Sequence, residues 1–143
     1  MSDPPKTVQV IINPASGKPG DAILNVLHQE FTEGAGIEWD VSLTYDTGDG
    51  TQLAEEALAK KPDAIAVYGG DGTVREVAGV LKGTDVPLAI LPGGTGNLFA
   101  VQMGIPRALR RAARLIAGPH TTQQVDVGIA NGEAFLVAAG TGV

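Results

Sequence analysis

Short and nearly unbroken apolar runs alternate along the chain with stretches whose apolar residues recur at helical spacing, and the turn-forming residues fall between the two. The first run, Val8-Gln9-Val10-Ile11-Ile12, ends at Asn13-Pro14-Ala15-Ser16-Gly17-Lys18-Pro19-Gly20. Asp21 then caps a predicted helix reaching about Phe31, with Ile23, Leu24, Leu27 and Phe31 on one face. Ile37 to Leu43 reads as a second strand and Asp46 to Gly50 as a loop. Leu53, Ala54, Ala57 and Leu58 form the buried face of a second helix that ends before Pro62. Ala64-Ile65-Ala66-Val67-Tyr68 is a third, buried strand, followed by Gly69-Gly70-Asp71-Gly72-Thr73 and a helix carrying Val77, Val80 and Leu81. The fourth strand, Pro87 to Leu91, runs into Pro92-Gly93-Gly94-Thr95-Gly96-Asn97 and a short helix from Leu98. Strand, loop and helix repeated in this order imply right-handed crossovers and a parallel sheet with helices on both faces, an α/β fold of three layers.

Beyond Pro106, Arg107 to Ala117 reads as a further helix, and then the period changes to two. Val125, Val127 and Ile129 alternate with Asp126, Gly128 and Ala130, and Asn131-Gly132 has the residues of a type I′ turn into Ala134 to Ala139. The expected organisation is therefore an α/β domain over 1–120 and a β-hairpin over 121–143, the latter either an edge hairpin completing the sheet or the start of a second module cut short. Such a hairpin offers an edge through which a homodimer can form.

Composition narrows the picture. The chain has 143 residues, 43% of them hydrophobic, enough for one domain with its own core. The absence of cysteine removes disulfide scaffolds, thiolate metal sites and cysteine nucleophiles, and two histidines leave little for a His-rich metal site. A formal charge of −6 argues against a nucleic-acid surface, which relies on Lys and Arg to neutralise phosphates. Residues 1–7 lack the cationic start and apolar core of a signal peptide, and no apolar run approaches a membrane span, so a cytoplasmic location is expected.

Ligands of open parallel sheets bind beyond the carboxyl ends of the strands, and three glycine-rich loops fall there. Their backbone N–H groups and the following helix N-termini suit an anion, so the inferred ligand bears phosphate. Two familiar phosphate loops are excluded. Lys18 is followed by Pro19 rather than Ser or Thr, and neither Gly70-Asp71-Gly72 nor Gly94-Thr95-Gly96 supplies the third small residue of a dinucleotide fingerprint. Asp71, between glycines at a strand's carboxyl edge, either holds Mg²⁺ near phosphates, accepts a proton from an attacking hydroxyl, or makes a local Asx turn. Thr73 and Glu76 have the spacing of a capping box. Arg107, Arg110, Arg111 and Arg114 are expected to share one cationic helix face, either solvated or turned to anionic headgroups. His28 reads as a surface or boundary residue, and Trp39 and Tyr45 as core or rim.

In their order and spacing, Asn13-Pro14-Ala15-Ser16-Gly17, Gly69-Gly70-Asp71-Gly72-Thr73 and Pro92-Gly93-Gly94-Thr95-Gly96-Asn97 resemble the signature of the diacylglycerol kinase catalytic domain. That family includes bacterial diacylglycerol-type lipid kinases, sphingosine kinases and ceramide kinases, and the similarity runs from about Val8 to Gly142. The resemblance implies ATP lying across these loops, with Mg²⁺, and transfer of its γ-phosphoryl to a lipid hydroxyl at the membrane surface. By matched position the nucleotide-contacting set is Asn13, Pro14, Ala15, Ser16, Gly17, Thr44, Gly70, Asp71, Gly72, Thr73, Glu76, Gly94 and Thr95. Asp71 is the motif carboxylate near the transferred phosphate and, through the phosphates, the metal. The family's second, antiparallel domain closes the cleft, which implies that this piece is inactive alone and that the whole protein sits peripherally at the inner membrane face. Arg75 and Leu98 depart from the Asn and Asp that many members carry, which loosens any inference to a particular lipid. An NAD kinase-like enzyme and a non-catalytic nucleotide-binding module are the alternative readings.

Overall fold

The computed structural model describes residues 5–15, 20–46, 48–92, 100–101, 104–118, 125–130 and 133–138, the last two segments as backbone only. Four strands, β1 (Thr7–Ile12), β2 (Glu38–Leu43), β3 (Ala64–Gly69) and β4 (Leu88–Pro92), form one parallel sheet in the order β2-β1-β3-β4. All six residues of β3 are buried, as the unbroken apolar run requires of a strand covered on both faces. Successive side chains of β1 and β3 go to opposite layers. Val8, Val10, Ile12, Ala64, Ala66 and Tyr68 join one core cluster, and Ile11, Ile65 and Val67 the other.

The first cluster is roofed by α1 (Gly20–Leu27), the π-helical segment His28–Glu33 that continues it, and α4 (Leu109–Ala117), through Ile23, Leu27, Phe31, Leu109, Ala112, Ala113 and Ile116. The second is roofed by α2 (Asp49–Ala59) and α3 (Asp71–Leu81), through Ala54, Ala57, Val74, Val77 and Leu81. The parallel α/β sheet with helices on both faces is thus the fold. Asp63 pins its amino-terminal edge, its Oδ2 accepting from the backbone N–H groups of Lys6 (2.8 Å) and Thr7 (3.1 Å).

Several local expectations are corrected. Asp21 lies in the first turn of α1 rather than at its cap, and the helix widens at His28 instead of running uniformly to Phe31. At the π-helical spacing His28 and Glu33, five apart, meet at 3.4 Å, while Phe31 stays buried and stacks edge-on against Trp39 at 6.2 Å. The Asp46 to Gly50 loop is shorter than expected, because Asp49 and Gly50 already belong to α2. Tyr45 is neither core nor rim but 77% exposed, since it follows the edge strand β2. Nor do the four arginines form one unpaired face. Arg107 precedes α4, while Arg110 and Arg114 both bind Glu30, at 2.7 and 2.9 Å.

β5 (Val125–Ala130) and β6 (Glu133–Ala138) pair antiparallel in a two-stranded sheet of their own. The Asn131-Gly132 turn lies outside the described residues. Among the described residues no helix is long and apolar enough to cross a membrane.

Candidate functional site

Parallel pairing brings the carboxyl ends of the strands to one edge: Ile12 lies beside Leu43 and Tyr68, and Gly69 beside Pro92. The residues that follow them, Asn13, Thr44 and Gly70, are therefore neighbours although far apart in sequence. Asn13 is the joint between the loop after β1 and the loop after β3. Its N–H donates to the Tyr68 carbonyl at 2.8 Å, its Oδ1 accepts from the Ala15 N–H at 3.0 Å, and its Nδ2 donates to Thr73 Oγ1 at 3.3 Å. An Asn suits this position because one amide carries both an acceptor for the local turn and a donor for the neighbouring loop. Thr44 is 94% buried by its 6% exposure, and its N–H donates to the Ile12 carbonyl at 2.9 Å.

α3 starts three residues earlier than the capping-box spacing requires. Gly70, in extended conformation, occupies the N-cap and brings no side chain to cap the first turn. Asp71 is the first helical residue, and a Cβ built on Gly70 or Gly72 would meet nothing within 4 Å among the described residues. The helix terminus thus presents an open approach where backbone N–H groups and the helix dipole favour an anion.

The capping box itself is absent. Thr73 lies inside the helix with its hydroxyl turned to Asn13, and Glu76 reaches away from its own helix to the start of α2. Glu76 Oε2 accepts from the Gly48 N–H at 2.8 Å and Oε1 from the Gly50 N–H at 3.1 Å. Glycine suits both partners. Gly48 has φ 96°, a left-handed conformation that L side chains rarely adopt, and a Cβ on Gly50 would stand 2.6 Å from Glu76 Oε1. From the other side Asp49 Oδ2 accepts from the N–H groups of Tyr45 (2.8 Å) and Asp46 (2.9 Å). The Asp46 amide first, then that of Tyr45, holds the Asp49 carboxyl below the usual aspartate range. The sequence reading missed Asp49; its signal was an acidic residue in the first turn of a helix, three and four positions after the amides it binds.

Of the predicted site residues, the structure brings Asn13, Pro14, Ala15, Thr44, Gly70, Asp71, Gly72, Thr73 and Glu76 to the carboxyl edge of the sheet. Ser16, Gly17, Gly94 and Thr95 lie outside the described residues. Among the described residues there is no group of three or more His, Asp or Glu placed to hold a metal. Asp71 is a single carboxylate at a helix N-terminus, so Mg²⁺ would fit there only with most of its ligands supplied from outside the protein.

The family model of the diacylglycerol kinase catalytic domain matches residues 7–130. The chain is 38% identical to a diacylglycerol kinase of Bacillus subtilis over 96% of its own length and 46% of that protein. It is 45% identical, over 71% of its length and 34% of the relative, to a Pseudomonas aeruginosa protein named "Probable lipid kinase YegS-like". A crystal structure of a diacylglycerol kinase from Bacillus anthracis superposes with a TM-score of 0.72 at 36% identity, covering 92% of this chain and 48% of that one. The chain therefore spans half or less of the length of these relatives.

Proposed function

The chain belongs to the diacylglycerol kinase catalytic domain family, and from that premise we propose that it is the nucleotide-binding part of an enzyme that moves the γ-phosphoryl of ATP to a lipid hydroxyl. The observation that carries the reading is the linked edge, where Asn13 ties the first loop to Thr73 beside the uncapped start of α3. In this proposal the phosphates lie over Gly70, Asp71 and Gly72, with Asn13, Pro14 and Ala15 on one side and Thr44 towards the β2 end; Ser16, Gly17, Gly94 and Thr95 join the contact set by matched position in the family signature. The loop N–H groups and the α3 dipole bind the phosphates without reorganising when charge shifts during transfer. Asp71 either holds the proton of the attacking hydroxyl or helps to place the metal. A divalent cation shared by Asp71 and phosphate oxygens would supply charge neutralisation.

Acceptor choice is assigned in this proposal to surfaces other than these loops, and a β-rich unit that opens at β5 and β6 is the proposed partner of the α/β layers, with 1–120 and 121–143 as the division. Association with a lipid surface follows from the acceptor rather than from any spanning helix.

Calorimetric titration with Mg-ATP, with NAD as the parallel ligand, tests the reading. ATP binding that Asp71→Ala or Thr95→Val weakens supports it, and binding of NAD alone moves the chain to a dinucleotide kinase. Binding of neither ligand removes the proposed site.

A further inference from the structure

Thr73 and Glu76 lie three residues apart on α3 and so share one face of the helix, and that face holds a different loop at each point. Thr73 Oγ1 is bonded by Asn13 of the β1 loop, and Glu76 binds Gly48 and Gly50 at the β2–α2 connection. The same helix begins at Gly70 and Asp71, so three of the strand-end connections are registered against a single rigid element. We infer that Glu76 is a positioning residue for the nucleotide. By fixing the Gly48 and Gly50 amides to α3, it sets the connection that follows Thr44 at the height of the α3 N-terminus, before any ligand arrives.

The inference rests on the nucleotide-binding reading and deepens it, because the matched-position argument made Glu76 a contact of the nucleotide. Here both carboxylate oxygens are already engaged by backbone N–H groups, at 2.8 and 3.1 Å. The contacts are charge-assisted and bidentate, a geometry that fixes direction as well as distance. The glycines confirm that the approach is built in. At Gly50 a Cβ would stand 2.6 Å from Glu76 Oε1 and 3.2 Å from its Cβ, so the carboxylate would have to shift, and Gly48, at φ 96°, donates its N–H to the other oxygen. Asp49 fixes the remaining side of the same connection through Tyr45 and Asp46. Two carboxylates, one from α2 itself and one from α3, thus hold the described residues on both sides of this connection, which lowers the ordering cost that binding would otherwise meet.

Three variants and two readouts decide the matter: Glu76→Gln, Gly50→Ala and the double variant, with Mg-ATP affinity by calorimetry and amide protection of positions 48 and 50 by hydrogen-exchange NMR. Gln keeps the size of the side chain but replaces one acceptor by a donor. Ala at position 50 pushes an unaltered carboxylate off its partners. The expected result is that each single variant stays folded and loses about tenfold in ATP affinity together with the protection of Gly48, while the double variant loses little more than either alone. Lost protection with unchanged affinity in both singles overturns the inference, since the link would then be structural only. Weakened binding in Glu76→Gln with Gly50→Ala behaving as wild type also overturns it, in favour of direct contact. Should the wild type fail to bind ATP while Gly48 and Gly50 remain protected, the nucleotide reading falls and the positioning role with it. That outcome is distinct from the other two because it appears before any substitution is made.

Discussion

Asn13 shows how one side chain joins two loops that the sequence separates by 60 positions. Its amide spans Ala15 and Thr73 at once, so Asn13→Ala should loosen both, costing about 1–2 kcal/mol in a urea titration through two lost hydrogen bonds. Asn13→Asp keeps the acceptor for Ala15 but loses the donor to Thr73, and it should show the smaller of the two losses. Asp71 belongs to a different category. It is partly exposed at the first position of α3, so Asp71→Ala should leave the folded state nearly unchanged while abolishing the lipid phosphorylation that the proposed function assigns to the full-length protein. Near-normal turnover would remove Asp71 from the chemistry. Glycine, Asn, Thr and Asp at these places were legible from the turn chemistry they support. The partner of Glu76 was not, because a Thr-x-x-Glu spacing looks the same whether the Thr caps the helix or lies within it.

Among the elements, the strands were read most easily, since burial on both sides leaves β3 no charged position and confines the polar residues of β1 to Thr7 and Gln9. The join between α1 and α4 was not. The spacing of Arg107, Arg110, Arg111 and Arg114 suggested a free cationic stripe, but Glu30, on the π-helical segment, takes up two of the four. The Arg110 hydrogen bond holds the Glu30 carboxyl below its ordinary value of 4.5; burial opposes it, and Arg114 adds to the lowering. A depressed carboxyl contributes stability that is fully present above the unfolded value and is lost as pH falls through the folded one. Stability should therefore be flat from neutral pH to about 5 in this respect and decline below the ordinary glutamate range. The two arginine side chains are 42% and 63% exposed, so solvent screening limits the pairs to about 1 kcal/mol together. Glu30→Gln should be less stable than wild type at pH 7, and the difference should shrink as the pH falls through the lowered Glu30 value; equal stability at pH 7 would mean that the pairs contribute nothing. Phe31, fully buried beside Trp39, is the stronger anchor of the same segment. Phe31→Ala should cost about 3–5 kcal/mol in a denaturant titration.

Across the whole molecule, the candidate site is an edge assembled from loops whose strands pair in the order β2-β1-β3-β4. Such a site couples ligand binding to global stability. If Mg-ATP binds the folded chain, a concentration one hundred times Kd should add about 2.7 kcal/mol and raise the Tm by several degrees. A scan at rising ATP concentrations measures this, and an unchanged Tm at saturating nucleotide would contradict binding to the native state. The sequence by itself determined the α/β class, the central buried strands, the three glycine-rich loops and the family they mark, because hydrophobic period and turn chemistry act over a few neighbouring residues. Tertiary structure alone decided that Glu76 serves the start of α2, that Arg110 and Arg114 are spent on Glu30, that α1 widens at His28 and that Tyr45 stands in solvent. Each of these depends on which elements the sheet order sets side by side. A side chain's hydrogen-bonding capacity is local, but the identity of the group that satisfies it is fixed only when distant segments pack.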